Sequence, residues 1–239
     1  MLDLERKTSR PAHVTIGVWF AWVAASMVGY LLGEWLGEAI ESLIIGPDAP
    51  RLLSVEGRVE MAQPLGYVGS ILGGVVAGVV LGAAQGLVLL PYIKMRGMLE
   101  WIIATTIGRM ARWVALFIIS QQLVSLVFDK SFAGSLILFG LLVGAGIIAG
   151  LTLGYAQSVV LRRRVERSTW WIWANIPGPV FTALVVGMTL FMEGHNVIRD
   201  CTTPMIAAIS ASITGIALNE LLNRPTKQAE WYRTHNLYQ

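Results

Sequence analysis

Six uninterrupted apolar runs leave this chain few folds to choose from. They cover Val14–Gly33, Leu65–Leu90, Glu100–Phe128, Phe132–Leu161, Thr169–Glu193 and Thr203–Leu222. Each has the roughly 20 residues that a helix needs to cross a hydrocarbon core of about 30 Å. In lipid the backbone must satisfy its own hydrogen bonds, and runs without period-two alternation select helices over a barrel. A soluble domain is excluded by 55% hydrophobic residues, 14% charged residues and a mean hydropathy of +0.62. The expected fold is all-α: a polytopic membrane helical bundle of six transmembrane helices, one integral domain over 1–239 with short tails at 1–13 and 223–239.

The runs repeat. "AGVVLGAAQGLVLL" at 77–90 returns as "AGLTLGYAQSVVLR" at 149–162, with eight of fourteen positions identical. "WIIATTIG" at 101–108 returns as "WIWANIPG" at 171–178, and "WVAASMVG" at 22–29 keeps its Trp, Ala and Gly. Odd helices therefore read as copies of one element and even helices as copies of another. Three hairpins follow, at 14–90, 100–161 and 169–222, with Asn219 in the glutamine's place in the sixth helix. All odd helices run the same way, so the repeats are parallel, as in a pseudo-threefold bundle about the membrane normal.

Twelve Lys and Arg residues fall in the tails and the two even-numbered loops, and four (Arg51, Arg58, Lys130, Arg199) on the opposite side. The positive-inside rule then predicts both termini in the cytoplasm. Glu34, Glu38 and Glu41 would face outward on an amphipathic helix after the first span, or on a continuation of that span. The balance of +3 is accounted for by topology, with no nucleic acid implied.

Gly78 and Gly82, like Gly150 and Gly154, are spaced one turn apart, and Gly215 with Ala208, Ala211 and Ser212 supplies small residues in the last helix. Lipid gives no hydrophobic force between helices, so such residues predict close backbone packing. Gln85 and Gln157, three residues beyond Gly82 and Gly154, read as fasteners between helices or as ligand contacts. Trp19, Trp22, Trp101, Trp170, Trp171, Trp173 and Trp231 read as an interfacial belt on the cytoplasmic side.

Arg109 and Arg112 stand deep in the third span, about 12 Å and 16 Å past Trp101 at 1.5 Å per residue. Charges at such depth face the bundle interior or a water-filled cavity, unless they snorkel. Glu220, Asn219, Gln85, Gln157, Asn175 and Tyr155 are the candidate partners, together forming a vestibule on the cytoplasmic side that binds an anion such as a lipid phosphate or carboxylate. "NIPGP" at 175–179 should kink or break the fifth helix. With no His in any span and one cysteine, Cys201, no metal site, haem or disulfide is expected, and no catalytic residues present themselves.

The repeated G-x3-G-x2-Q-x3-L helix followed by W-x2-A-x3-G resembles small, uncharacterised polytopic bacterial membrane proteins. The resemblance implies a bundle of repeated hairpins in the bacterial cytoplasmic membrane and brings no activity, cofactor or site residue. The expected function is non-enzymatic: an accessory or scaffolding subunit of a membrane assembly, or a bundle holding lipid or pigment. The alternative is a transporter or channel for a small anionic or amphipathic solute, and an enzyme acting on a lipid-soluble substrate is the remaining class. Expected partners are the bilayer, with anionic lipid, and membrane-protein subunits.

Overall fold

The computed structural model describes residues 12–45, 59–128, 132–163, 165, 167–191 and 196–222. They are almost wholly helical: α1 (Ala12–Ile45), α2 (Val59–Phe128), α3 (Phe132–Leu161), α4 (Thr169–Ala174), α5 (Pro177–Phe191) and α6 (Asn196–Leu222). Four stretches are long and apolar enough to cross a membrane: Ile16–Ile44, Gly66–Ala115, Phe139–Leu161 and Pro204–Leu222. Residues 1–11, 46–58 and 223–239, with Arg51, Arg58 and Trp231 among them, lie outside the described residues.

One boundary is decided between the two that the sequence allowed, and another differs from that expected. α1 continues as one helix to Ile45, so Glu34 and Glu38 ride the end of an apolar helix and no separate surface helix forms. α2 needs no loop between Leu90 and Glu100. It turns back on itself at Lys94, whose φ of 59° and ψ of 172° fall in a region almost confined to glycine. The two arms pack antiparallel, with Gly74 against Met110, Gly82 against Ile102 and Gly86 against Met98.

α1 packs on α2, α2 on α3, α3 on both α4 and α5, and α5 on α6, which returns to α1 and closes a ring. Glycine sets the approach distances. A Cβ at Gly33 would stand 2.9 Å from the Ala77 carbonyl oxygen, and one at Gly37 would stand 2.8 Å from that of Gly73. Gly78 lies against Thr106, and the second glycine-bearing helix repeats the arrangement, with Gly150 on the Asn175 carbonyl and Gly154 on Ile172. Gly215 differs: it makes room for the indoles of Trp19 and Trp22, not for a helix backbone.

The expected break in the fifth span is present. α4 ends at Ala174, Asn175 and Ile176 turn, and α5 begins at Pro177. Proline supplies no amide to continue the ladder, so the Asn175 and Ile176 amides donate instead to Ile172 and Trp173 carbonyls at 3.2 and 3.3 Å.

Candidate functional site

The end of the ring that carries the Lys94 turn and Arg162–Arg163, here the basic end, is built on a tryptophan core. Trp22, Trp101 and Trp171 meet there at ring-centroid distances of 5.9, 5.7 and 5.7 Å, each edge to face with the other two. All three are at most 1% exposed, and Leu89, Ile93, Leu161 and Leu218 pack around them. The expected belt is therefore corrected for these three. Tryptophan at an interface keeps its N–H wet, but each of these indoles finds a buried acceptor inside the ring. Trp170 and Trp173 are exposed, as a belt residue is.

The acceptors are the repeated polar residues. Trp101 Nε1 donates to Gln85 Oε1 at 3.3 Å, while Gln85 Nε2 donates to Ser26 Oγ at 3.1 Å. Trp171 Nε1 donates to Gln157 Oε1 at 2.8 Å, while Gln157 Nε2 donates to Thr105 Oγ1 at 2.8 Å. Each carboxamide thus ties a tryptophan on one helix to a hydroxyl on another. In α6 the side chain that accepts from a core tryptophan is that of Thr214, whose Oγ1 takes the Trp22 Nε1 hydrogen at 3.1 Å. Asn219 is half-buried and Glu220 exposed nearer the basic end, so neither joins this layer.

Ser26, Thr105 and Asn175 each stand four residues after a core tryptophan. The first two are partners that the sequence analysis did not anticipate, although a small hydrogen-bonding residue recurs at that offset in all three copies of the motif. The Asn175 amide donates back to the Trp171 carbonyl at 2.8 Å.

Beyond the tryptophans, away from the basic end, lies a cavity of about 80 Å³. Its polar lining includes Tyr30, Gln85, Arg109, Arg112, Asn175 and Ser210. Arg109 is 3% exposed, and its guanidinium pairs with the Glu34 carboxylate and stands 4.8 Å from the centre of the Tyr30 ring. Arg112 Nη1 is 3.7 Å from the same carboxylate, and both its Nη atoms donate to the Tyr30 hydroxyl at 3.2 Å. Arg109 Nε finds no hydrogen-bond acceptor among the described residues.

The structure corrects the expected partners. Glu34, expected to face outward, is the carboxylate of the two arginines. It reaches them because α1 runs unbroken through the ring. Gln157 is spent on Thr105 and Trp171, and Tyr155 is 63% exposed. The polar chamber also lies on the other side of the tryptophan layer from the basic loops, not beside them as expected. Arg112, Ala149, Pro179 and Thr182 are shared with a second cavity of about 380 Å³ that continues to Glu38, Ala115, Leu142 and Ala183.

At the basic end itself, Glu100 holds Arg163 at 3.0 Å and Arg96 at 3.4 Å, joining the α2 turn to the segment after α3. These groups are mostly solvated, and such pairs contribute little to stability. Comparison with protein-family models, curated proteins and solved structures finds no match to this chain.

Proposed function

We propose that this is a non-enzymatic integral membrane protein of three parallel helical hairpins that holds a small ligand in the chamber at the centre of its ring. Six crossings fit the geometry. A straight helix over Gly66–Ala115 would be about 75 Å long at 1.5 Å per residue, far more than a bilayer core, but the turn at Lys94 folds it into two arms. α4 and α5 together make one interrupted crossing. With the basic loops in the cytoplasm, both termini are cytoplasmic and the chamber lies outward of the tryptophan seal. The observation that carries the reading is a charged, half-open chamber that ends against three interlocked indoles.

Side-specific thiol labelling tests it. Ser210 lines the chamber, and Ser210→Cys in a Cys201→Ser background should react with a membrane-impermeant methanethiosulfonate added to the outer face of sealed vesicles. Reaction from the inner face alone would reverse the orientation, and no reaction from either face would remove the chamber.

A second reading, transport of the same ligand, draws on the break at Asn175 and Ile176. Interrupted helices beside a midplane site are a recurrent device of transporters. Trp101→Ala should then let the same thiol react from both faces. Persistent one-sided labelling favours a holding protein. As a subunit of a larger assembly, the ring would present its lipid-facing surface to partner proteins.

A further inference from the structure

We infer that the ligand of the chamber is an amphipathic anion: a single carboxylate or phosphate head seated between Arg109 and Arg112, with an alkyl part in the adjoining larger cavity. The inference rests on the chamber reading above and names its ligand class. Three observations carry it.

The first is charge. Two guanidinium groups face one carboxylate, Glu34, leaving one positive charge uncompensated in a largely buried place. Glu38, one turn further along α1, lines the larger cavity with Arg112 but is exposed and makes no ion pair with either arginine among the described residues. An isolated charge inside a bundle is costly unless paired, so the place selects an anionic partner. Arg109 Nε, buried and without an acceptor among the described residues, is the donor that such a head would satisfy, and a carboxylate or phosphate accepts from a guanidinium fork at two atoms.

The second is the repeat. Tyr30 and Pro179 stand eight residues after Trp22 and Trp171, as Arg109 does after Trp101, and all three line the chamber. Gly33 and Thr182 hold the places equivalent to Arg112, eleven residues on. The same framework is thus built twice without a charge at either position. The arginines are additions to the frame, not parts of it.

The third is shape. The smaller cavity, about 80 Å³, suits a head group alone. The larger, about 380 Å³, falls within the roughly 300–1,000 Å³ common for small-molecule sites and is walled by Ala115, Leu142, Ala145, Gly146 and Ala183. A free inorganic anion would use only the first, whereas an alkylated one fills both.

The test is the binding of radiolabelled decyl phosphate to the full chain in nanodiscs of zwitterionic lipid, with empty nanodiscs subtracted. One saturable site per chain is expected, displaced by decanoate, weakly displaced by inorganic phosphate, and untouched by decanol. Equal displacement by decanol would overturn the anion site, and displacement by inorganic phosphate as strong as by decanoate would overturn the alkyl chamber. Exchanging the nanodisc lipid for an anionic phospholipid separates sources: competition there assigns the site to a membrane lipid head group, and its absence to a free amphiphile.

Arg112→Gln leaves the Arg109–Glu34 pair intact, removes the uncompensated charge and should weaken binding about tenfold or more. Ala145→Phe fills the larger cavity and should abolish decyl phosphate binding while sparing that of inorganic phosphate. Wild-type binding in both variants would sink the inference. If Ser210→Cys is labelled yet no anionic probe binds, the chamber stands and the ligand class falls.

Discussion

Gln157 and Gln85 hold equivalent places with unequal bonds: both contacts of Gln157 are 2.8 Å, whereas those of Gln85 are 3.1 and 3.3 Å. Hydrogen bonds between membrane helices are worth about 0.6 kcal/mol on average and up to about 1.7 kcal/mol. Gln157→Leu, which strands the Trp171 N–H and Thr105, should therefore cost about 1–2 kcal/mol in reversible unfolding from mixed micelles, and Gln85→Leu less. An inverted order would show that these lengths do not govern the layer. Arg109→Ala should cost less than the roughly 3–5 kcal/mol of a fully broken buried pair, because Arg112 still stands 3.7 Å from the Glu34 carboxylate. Adding Glu34→Gln should deepen that loss, because Arg112 then loses its carboxylate as well, and a double variant no worse than the single would break the pairing argument. Both carboxamides and both arginines stand out in the sequence, since polar groups inside apolar runs are expensive to place. Their partners do not: Glu34 sits 75 residues from Arg109, and hydropathy alone assigns it to the water.

Elements are positioned here by backbone contact more than by side-chain size. Gly150 lies against the Asn175 carbonyl and the Ile176 Cα, so Gly150→Val must part α3 from the break between α4 and α5. Overpacking of this kind costs about 1–3 kcal/mol, and the variant should lose most of its folded yield. Gly144, also on α3, would present an added Cβ with nothing within 4 Å among the described residues, so Gly144→Ala should match wild type or gain slightly in the same assay. A loss there would mean that this face is covered. At the turn of α2, Lys94→Gly should raise stability by about 1–2 kcal/mol, because a side chain at φ 59° and ψ 172° is strained. No gain would place the turn's strain elsewhere. The proline break and the glycine stripes were readable from spacing. The single-residue turn was not, because nothing at Lys94 marks a positive φ and the flanking polar residues suggest a loop.

For the molecule as a whole, sequence and structure answer different questions. Reporter fusions should place the Lys94 turn, the Arg162–Arg163 segment and both termini on the cytoplasmic face; a terminus on each face would refute six crossings. That expectation needs only the apolar runs and the distribution of basic residues, which are local properties of the chain and act through the solvent. By itself the sequence determined a helical chain suited to lipid, and its motifs named the small and polar residues that face other helices. Only the tertiary structure decided that Trp22, Trp101 and Trp171 turn inward to one another, that Thr214 takes the third acceptor's place, and that Arg109 meets Glu34 beyond that layer. The reason is geometric. Which way a helix faces and how far it slides along its neighbour are fixed by contacts such as Gly33 on Ala77 and Gly150 on Asn175, between residues tens of positions apart, and hydropathy carries no record of them.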